Sequence, residues 1–440
     1  MNVLVVMFDS LRHDYLAFNG HPYIKTPNFD AFAADSVFFA EAIAEYPVTI
    51  PSRTAMLTGN YTFPNRTWEP LRDTDVSFVS KLAEAGYHTC AFSDTPFEPS
   101  AKVDRGFAEF HRMDGGKCHP PVNPDRKVDI ENVYFTPDST ATDKKFYENT
   151  VSNRAEFMER EGMYYPDILT RDAIKWMESR NGADKPFFLW LDYFDPHEPW
   201  DPPKPYSEMY DPGYTGREIP MPDLWSNELT PEELRHLRAQ YAGCVTQVDD
   251  QFGKLRAAME RSGLWDDTLV LLLSDHGEPF GEHGTIRKHF IPLYEELCHF
   301  VWMMRDPESA RRGVKIDALV QNTDLAPTLL QRLGVEPFKC DGLDLNPLIE
   351  GKVSKVRDAA FFGSLQYREA VRMGDWKFID NRGEQGNELY NLANDPEERN
   401  NLIASEPELA RKLHRMLWEF HLPWCGDWTW KSRPEKGLVG

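Results

Sequence analysis

The chain is 440 residues long, which is long for a single core and predicts one large domain with a smaller appendage, or two domains. It carries 49 Lys and Arg residues against 71 Asp and Glu residues, a formal net charge of −22. A field of that sign repels polyanions, so neither a nucleic-acid surface nor an anionic-membrane surface is expected, and an anionic substrate requires a locally basic pocket.

The N-terminal stretch MNVLVVMFDS lacks the charged leader and small-residue cleavage site of a signal peptide, and it predicts a strand that ends before Asp9. No stretch approaches the roughly 20 apolar residues that a membrane-spanning helix needs. The cysteines are scattered without the paired spacing of a metal site, at Cys90, Cys118, Cys244, Cys298, Cys340 and Cys425. These features predict reduced thiols in a cytoplasmic protein.

Four apolar runs end abruptly in polar residues, a pattern typical of buried parallel strands. They are NVLVVMF before Asp9, HTCAFS before Asp94, PFFLWLDYF before Asp195 and TLVLLLS before Asp275. Helical patterns lie between these runs, and the alternation predicts an α/β sandwich. Ligands of such open sheets bind beyond the carboxyl ends of the strands, so Asp9 and Asp275 are expected at one site.

The clearest helical pattern is TPEELRHLRAQYAGCVTQVDDQFGKLRAAMERSG, residues 230–263. Thr230 and Glu233 have the spacing of a capping box, and Pro231 suits the first turn of a helix. Apolar residues then recur at three- and four-residue steps from Leu234 to Leu255. The segment is therefore predicted to be one long helix with a single buried face.

Two segments depart from this strand and helix rhythm. Residues 115–165 are polar, aromatic and punctuated by prolines, which predicts an insertion that is either a lid or surface padding. Beyond Gly363, the stretch REAVRMGDWKFIDNRGEQGNELYNL alternates around Gly-containing turns and predicts an antiparallel hairpin. We therefore predict a catalytic α/β domain over residues 1–349 and a small C-terminal α+β subdomain over residues 350–440.

The stretch EYPVTIPSRTAMLTGNY, residues 45–61, places Thr49 at the start of a predicted helix. Pro51 suits the first helical turn, so the threonine oxygen is expected near free backbone amides and the positive end of the helix dipole. Such positions bind anions readily. A plain helix cap is the alternative interpretation of Thr49, and this stretch alone does not distinguish the two.

Distant residues favour a chemical role for Thr49. Asp9, Asp275 and His276 all follow predicted strands and are suitable ligands for one divalent cation. Such a cation lowers the pKa of a bound alcohol, which predicts that Thr49 acts as an alkoxide nucleophile. Arg53, one helical turn later, is a planar cation suited to tetrahedral oxyanions.

Lys288 in TIRKHF and His197 in FDPHEPW are further candidates for the site. Each residue taken alone is more often a surface cation or a hydrogen-bonded loop histidine. Their position beside predicted strand ends favours the functional interpretation.

Seven segments occur in an order that resembles the sulfatase family within the alkaline phosphatase superfamily. They are VMFDSLRHDYL, IKTPNFDAFA, VTIPSRTAMLTGNY, LAEAGYHTCAF, PFFLWLDYFDPHEPW, LLLSDHGEPFGEHG and the pair AVRMGDWKFI and ELYNLANDPEERNNL. The resemblance covers nearly the whole chain except the 115–165 region. It implies a large α/β domain around a mostly parallel central sheet and a smaller C-terminal domain with an antiparallel sheet.

The resemblance also implies roles for individual residues. Asp9, Thr49, Asp275 and His276 would bind the metal, with Thr49 at the nucleophile position and Arg53 steadying it. Lys288 and His197 match positions that contact the transferred group or assist the leaving group, and His283 is a weaker substrate-binding candidate. The Asp275–His276 pair is closer to phosphonate monoester hydrolases and phosphodiesterases than to sulfatases with Asp-Asn.

Two residues depart from the family pattern. Ordinary sulfatases carry a cysteine or serine at position 49 that is oxidised to formylglycine, and the methyl group of Thr49 prevents that aldehyde. Thr49 is therefore expected to act unmodified, with no formylglycine. Ser10 stands where many sulfatases have another metal-binding aspartate, which leaves the metal undecided among manganese, calcium, magnesium and zinc.

The function predicted from these residues is a metal-dependent hydrolase that cleaves a phosphodiester or phosphonate monoester through Thr49. The alternatives are a sulfuric ester hydrolase and a catalytically inactive protein that binds an anion. One metal ion is expected, although Asp192, Asp195 and His197 form a conceivable second ligand set. The expected partner is a small anionic ester, and a homo-oligomer is compatible with the sequence. Aromatic residues in EPWDPPKPY and LPWCGDWTW either stack on a sugar or simply pack.

Overall fold

The four apolar runs that end in polar residues form four neighbouring parallel strands in a computed structural model of the chain. The structure describes residues 1–424 other than 97, 132, 136–140, 223–225, 289–290, 365–366 and 383–385. Cys425 and most of the predicted aromatic segment LPWCGDWTW lie outside the described residues. The five described cysteines form no disulfide with one another.

The large sheet has eight strands among the described residues, in the order β4-β3-β5-β1-β6-β7-β2-β8. Their bounds are β1 Asn2–Phe8, β2 Val37–Ile43, β3 His88–Ser93, β4 Glu109–Arg112, β5 Phe187–Tyr193, β6 Thr268–Ser274, β7 Trp302–Arg305 and β8 Val314–Gln321. Strand β7 runs antiparallel to both of its neighbours, and the other pairings are parallel. The predicted α/β class with a mostly parallel sheet is confirmed.

The helices cover both faces of this sheet. Their bounds are α1 Pro27–Ala33, α2 Thr49–Thr58, α3 Phe78–Glu84, α4 Glu98–Ala101, α5 Ala141–Glu161, α6 Tyr165–Arg180, α7 Pro231–Ser262, α8 Glu295–Cys298, α9 Leu325–Arg332, α10 Asn346–Ile349 and α11 Pro407–His421. Alternate residues of β1 pack into different cores, because successive side chains of a strand point to opposite faces. Leu4 and Val6 meet residues of α1, α6 and α7, whereas Val3 and Val5 meet residues of α2, α3 and α9.

Helix α7 begins and ends where its sequence predicts. The Thr230 hydroxyl accepts a hydrogen bond from the Glu233 amide at 3.2 Å, and the Glu233 carboxylate accepts one from the Thr230 amide at 2.8 Å. Gly263 ends the helix with φ = 75°, a left-handed conformation that glycine adopts without a steric cost. The predicted capping box is confirmed.

The predicted C-terminal hairpin is part of a separate antiparallel sheet. Its strands are β9 Ala360–Gly363, β10 Glu369–Met373, β11 Trp376–Asp380 and β12 Glu388–Asn391, in the order β12-β11-β10-β9. Helix α11 packs on this sheet through Leu413 and Leu417. The sheet also meets the large domain, where Phe362 and Ile379 share a core with Leu293 and Leu297. No described helix is both long enough and apolar enough to cross a membrane.

Ion pairs join the C-terminal sheet to the large domain as well. Lys377 of β11 is fully buried, and its Nζ lies 3.1 Å from Glu295 of α8 and 2.8 Å from Glu398. Arg372 of β10 contacts Glu295 at 3.3 Å and also Glu41 of β2. Removal of residues 350–440 would leave Glu41 and Glu295 without these cations and would expose the apolar core beneath the sheet.

A chain of residues 1–349 is therefore expected to be insoluble or only partly folded. Loss of both cations from largely buried Glu295 alone costs about 3–5 kcal/mol in typical proteins, and the exposed apolar residues add to that. Solubility and the thermal unfolding midpoint of the fragment, compared with those of the full chain, test this expectation. A soluble fragment that unfolds at the same temperature as the full chain and keeps its activity would contradict it.

Candidate active site

Parallel pairing brings two predicted ligands to one edge of the large sheet. Phe8, the last residue of β1, pairs with Ser274, the last residue of β6. Asp9 and Asp275 follow these two residues and therefore leave the sheet side by side. Both aspartates and His276 are completely buried. The sequence alone predicts this convergence, because the ends of adjacent parallel strands meet at one edge.

The three side chains fit a divalent cation. One ligand atom from each of Asp9, Asp275 and His276 lies within 4.8 Å of the others. Gly277 O accepts a hydrogen bond from His276 Nδ1 at 2.7 Å, whereas Nε2 has no hydrogen-bond partner among the described residues. A buried nitrogen left without a partner beside two carboxylates is the arrangement that a metal ligand needs.

The charge states of the three groups suit the same role. Burial lowers the pKa of His276 to about 4, so its ring is neutral at neutral pH, which is the form that binds metals. Burial, followed by the neighbouring Asp275, raises the pKa of Asp9. Burial acts on Asp275 in the same direction, but His276 and Arg53 outweigh it and hold the pKa of Asp275 below its usual value. Asp9 and Asp275 repel each other at this spacing, and a cation bound between them would relieve that repulsion.

Arg53 contacts three carboxylates at once. Its Nη2 lies 2.7 Å from Asp192 Oδ1 and 3.2 Å from Asp9 Oδ2, and its Nη1 contacts Asp275 Oδ2. Its Nε donates to Asp192 Oδ2 at 2.9 Å. The guanidinium is fully buried and therefore neutralises part of the site's negative charge. Its observed contacts are with these acids, and its predicted contact with substrate stays a prediction.

Replacement of Arg53 by methionine is expected to lower the free energy of unfolding by about 3–5 kcal/mol, because buried carboxylates lose their counter-ion. Urea unfolding in the presence of a chelator measures this without a substituting cation. Arg411→Met is a matched control, since it removes an exposed ion pair with Glu408 on α11. The control is expected to change stability by less than about 0.5 kcal/mol. Equal effects of the two substitutions would contradict the role assigned to Arg53.

Thr49 is the first residue of α2 and does not cap it. The N-cap position is Val48, and no side-chain cap is present there. Thr49 Oγ1 instead donates to Asp9 Oδ2 at 3.3 Å, and the residue is 1% exposed. The helix-cap interpretation is therefore wrong. The hydroxyl is held at the carboxylate edge of the candidate metal site and at the positive end of α2.

A cavity of about 240 Å³ opens beside Thr49. Arg287 and Lys288 contribute two cations to its wall against the single carboxylate of Glu198, and His197 also lines it. The rest of the described lining is apolar, aromatic or sulfur-bearing: Val48, Trp68, Cys118, Phe146, Phe194 and Met221. Because the chain is negatively charged overall, an anionic ligand needs a locally basic pocket. This cavity is such a pocket, and it lies beside the Thr49 hydroxyl.

Lys288 lies between the cavity and the carboxylate edge. Its Nζ donates to Glu278 Oε2 at 2.7 Å, to Glu198 Oε2 at 3.2 Å and to Ser10 Oγ at 3.3 Å. Ser10 Oγ in turn donates to Asp9 Oδ1 at 2.8 Å, and the Ser10 amide donates to Asp275 Oδ1 at 3.0 Å. Ser10 therefore joins the ammonium group to both candidate metal ligands instead of adding a carboxylate to them.

His197 lines the same cavity from the loop after β5. Its Nδ1 lies 2.8 Å from Glu198 O, and its ring stacks on Phe194 with centroids 4.1 Å apart. Burial lowers the pKa of His197 well below its usual value, although Glu198 opposes that effect. A neutral ring that donates from Nδ1 has a lone pair on Nε2, which makes no hydrogen bond to any described residue. The ring is thus available to exchange a proton with a ligand.

The other candidates lie elsewhere. His283 Nδ1 is 2.7 Å from Glu296 Oε1, its Nε2 is 3.2 Å from Glu398 O, and it does not line the cavity. The conceivable second ligand set is not assembled among the described residues. Asp192 binds Arg53, Asp195 binds Lys117 at 2.6 Å, and His197 Nδ1 faces Glu198.

Four residues of the site have no clear sequence signal. Glu198, Glu278 and Arg287 surround Lys288, and Lys117 is buried below the His197 loop. They come from loops, where neither helical nor strand periodicity marks a buried side chain. Glu278 lies two residues after His276, and Glu198 and Arg287 are next to the predicted His197 and Lys288. Lys117 alone of the four is distant in sequence from every predicted site residue.

Comparison with known proteins shows the family of the chain. The family model described as Sulfatase matches residues 1–335, about three quarters of the chain. The chain belongs to the sulfatase family. A second model, described as N-sulphoglucosamine sulphohydrolase, C-terminal, matches residues 281–421 of this sulfatase-family protein. The resemblance found in the sequence motifs is confirmed.

Relatives of this sulfatase-family protein span nearly its whole length. An arylsulfatase of Clostridium perfringens is 27% identical over an alignment 461 residues long, gaps included. The alignment covers 92% of this chain and 90% of the relative. A multifunctional alkaline phosphatase superfamily protein of Trinickia caryophylli is 27% identical over 424 residues, 81% of this chain and 78% of the relative.

A solved structure supports the fold. The crystal structure of a phosphonate monoester hydrolase of Agrobacterium radiobacter superposes with a TM-score of 0.73 at 24% identity and covers 96% of both chains. The chain is a hydrolase of the sulfatase and alkaline phosphatase group. Proteins of this family are generally metal-dependent, in keeping with the candidate site at Asp9, Asp275 and His276.

Proposed function

We propose that this sulfatase-family protein hydrolyses phosphodiesters or phosphonate monoesters, with unmodified Thr49 as the nucleophile. The observation that carries the proposal is the position of the Thr49 hydroxyl. Its Oγ1 lies 3.3 Å from Asp9 Oδ2, at the start of α2 and in the wall of the basic cavity. A nucleophilic hydroxyl needs a neighbouring group that activates it, favourable electrostatics for negative charge, and access to the ester. Asp9 of the candidate metal site, the positive end of α2 and the cavity supply these three conditions.

The chemistry of threonine favours phosphorus over sulfur. Attack of Thr49 Oγ on phosphorus expels one alcohol and leaves the rest of the substrate esterified to Thr49, with its second ester group or its phosphonate carbon still on phosphorus. Water then attacks phosphorus, releases a phosphate monoester or a phosphonate, and restores the Thr49 hydroxyl. A sulfated formylglycine is a hemiacetal sulfate, which expels sulfate as its carbon to oxygen bond breaks. Sulfated threonine has no second oxygen on its β-carbon and is a stable ester, so sulfate transfer would stop after one event.

Other residues at the site have separate roles in the proposed reaction. Lys288 and Arg287 supply positive charge for the anionic ester, and Asp9 orients the Thr49 hydroxyl by accepting its hydrogen bond. His197 is neutral in the free protein, so its Nε2 takes up the proton released by Thr49 and passes it to the leaving-group oxygen. The neutral ring then takes a proton from the attacking water, and that proton returns to Thr49 Oγ. A divalent cation held by Asp9, Asp275 and His276 would supply Lewis-acid stabilisation there.

The donor set narrows the choice of cation. Two carboxylates and one imidazole nitrogen suit manganese or zinc better than calcium or magnesium, which prefer ligand sets made only of oxygen. The cavity of about 240 Å³ suits a small ester, in line with the partner expected from the sequence.

Sulfate-ester hydrolysis is the second candidate, because the arylsulfatase of Clostridium perfringens aligns with 92% of this chain. Four esters with the same 4-nitrophenyl leaving group separate the candidates: a phosphodiester, a phosphonate monoester, a phosphate monoester and a sulfate. We expect kcat/KM for the diester or the phosphonate to exceed that for the sulfate by at least about 100-fold, a transition-state difference of about 3 kcal/mol. Faster turnover of the sulfate would overturn the proposal. No turnover of any ester would favour the inactive anion-binding alternative.

A further inference from the structure

Lys117 is completely buried beneath the loop that carries His197. Its Nζ donates to Asp195 Oδ1 at 2.6 Å, to His197 O at 3.1 Å and to Pro199 O at 3.0 Å. An ammonium group has three hydrogens to donate, and these three acceptors use all of them. The three acceptors lie in one five-residue loop, residues 195–199.

The contacts of Lys117 keep it charged in the interior. Burial opposes the charged form, but Asp195 outweighs burial and holds the pKa of Lys117 above its usual value. A buried charge that lost these partners would cost several kcal/mol, so the loop has little freedom to move away from the ammonium group. The backbone of His197 is thereby held through its carbonyl oxygen, while Phe194 and Glu198 contact the ring itself.

Lys117 belongs to the 115–165 stretch, which the sequence predicts to be a lid or padding. Three further residues tie this stretch to the cavity. Phe146 of α5 lines it, and Asp143 of α5 accepts a hydrogen bond from Arg287 at 3.2 Å. Cys118, the residue after Lys117, also lines the cavity. The stretch thus supplies part of the wall and the support below His197.

We propose that Lys117 is a positioning residue that fixes His197 for proton exchange with the substrate. This proposal deepens the proposed function, because it assumes that His197 takes part in the reaction. Displacement of a catalytic group by about 1 Å costs about 100-fold in rate. Loss of Lys117 is therefore expected to lower kcat while leaving KM and the metal content unchanged.

Two variants test this. Lys117→Met removes the three donors but leaves Asp195 as a buried charge without its cation, so this variant is expected to fold poorly for that reason alone. The paired variant, Lys117→Met combined with Asp195→Asn, removes both charges and leaves no unpaired buried charge. Its kcat can therefore be compared directly with that of the wild-type protein. The matched control is Lys377→Met, since Lys377 is equally buried and bound to Glu295 and Glu398 in the C-terminal sheet. The control is expected to lower the thermal midpoint and to leave kcat of the folded protein unchanged.

The measurement is a double-mutant cycle with His197→Ala, on whichever ester the wild-type protein hydrolyses. We expect the paired variant to lower kcat about 100-fold in the wild-type background and less than about threefold in the His197→Ala background. The loss is expected to be greater for an alkyl leaving group than for 4-nitrophenoxide, which needs no proton. Equal losses in both backgrounds, or an unchanged kcat, would overturn the proposal.

A second readout does not depend on turnover. Nuclear magnetic resonance spectra of protein with isotope-labelled histidine show the ring signals of each histidine. The signals that are missing from the spectrum of His197→Ala belong to His197. These signals are expected to shift in the paired variant and to stay in place in Lys377→Met. Unshifted His197 signals in the paired variant would overturn the positioning role even if no ester were cleaved. A sulfate preference of the wild-type protein would instead affect only the proposed function.

Discussion

Thr49→Ala is expected to fold like the wild-type protein and to lose about 10⁴-fold or more in kcat, the scale on which removal of a nucleophile acts. The reason is that no described hydroxyl other than that of Thr49 lines the cavity. Circular dichroism and thermal unfolding check the fold, and steady-state kinetics on the preferred ester measure the loss. Wild-type turnover by Thr49→Ala, free of contaminating enzyme, would remove the nucleophile role.

Two matched variants separate chemistry from packing. Thr49→Ser keeps the hydroxyl and is expected to retain substantial activity. Thr54→Ala changes a second buried threonine of α2, whose Oγ1 has no hydrogen-bond partner in the described part of the chain. It is expected to keep full activity. Comparable losses in Thr54→Ala and Thr49→Ala would point to damage of α2 rather than to loss of a nucleophile.

The covalent intermediate provides independent evidence. After rapid quenching with a phosphodiester in excess, intact-protein mass spectrometry is expected to detect an adduct with the mass of the diester less one alcohol, and peptide mapping should place it on Thr49. Thr49→Ala treated in the same way is expected to show no adduct. An adduct on another residue in the wild-type protein would assign the nucleophile elsewhere.

Removal of the metal is expected to lower activity at least about 100-fold, because Lewis-acid stabilisation of a developing charge contributes several kcal/mol. Elemental analysis of the purified protein should find one divalent cation per chain, and dialysis against a chelator should remove it. Addition of manganese or zinc is expected to restore turnover. Full activity after complete removal of the cation would contradict the proposed chemistry.

Substitutions locate the cation. His276→Ala is expected to reduce both metal content and activity, because His276 Nε2 faces the two carboxylates at 4.0 Å from Asp9 Oδ1 and 3.5 Å from Asp275 Oδ2. The other described group of possible ligands contains His111, near Cys90 and Glu109. His111→Ala is therefore the control and is expected to retain the cation. Loss of the cation in His111→Ala instead would move the site to that second group.

The parts of the fold with strong periodicity were predictable from the sequence. The strands before Asp9 and Asp275 are continuous apolar runs, and α7 carries both a capping box and a regular apolar face. Predicting these elements also placed the candidate ligands, because adjacent parallel strands must end at the same edge. The position of Thr49 at the start of α2 followed from local sequence, although its hydroxyl turned out to contact Asp9 rather than cap the helix.

The rest depends on contacts between loops that are distant in sequence. Lys117 and His197 are 80 residues apart and meet only because the 115–165 stretch folds beneath the β5 loop. A lysine in a proline-rich polar stretch is usually exposed, so nothing in its surroundings marks it as buried. Arg287 is next to the predicted Lys288, but its contact with Glu198 joins loops 89 residues apart and has no local sequence signal. His283 shows the reverse case: its motif predicted a substrate contact, whereas its ring contacts Glu296 and does not line the cavity, so its role in substrate binding stays a prediction.

The methyl group of Thr49 has a consequence for how the protein is produced. A formylglycine enzyme becomes active only after a separate maturation enzyme has oxidised its side chain, so the active fraction of a preparation depends on the host cell. The Thr49 hydroxyl is already in place against Asp9 when the chain has folded. Preparations from unrelated hosts are therefore expected to have the same number of working sites per molecule once they are loaded with the same cation.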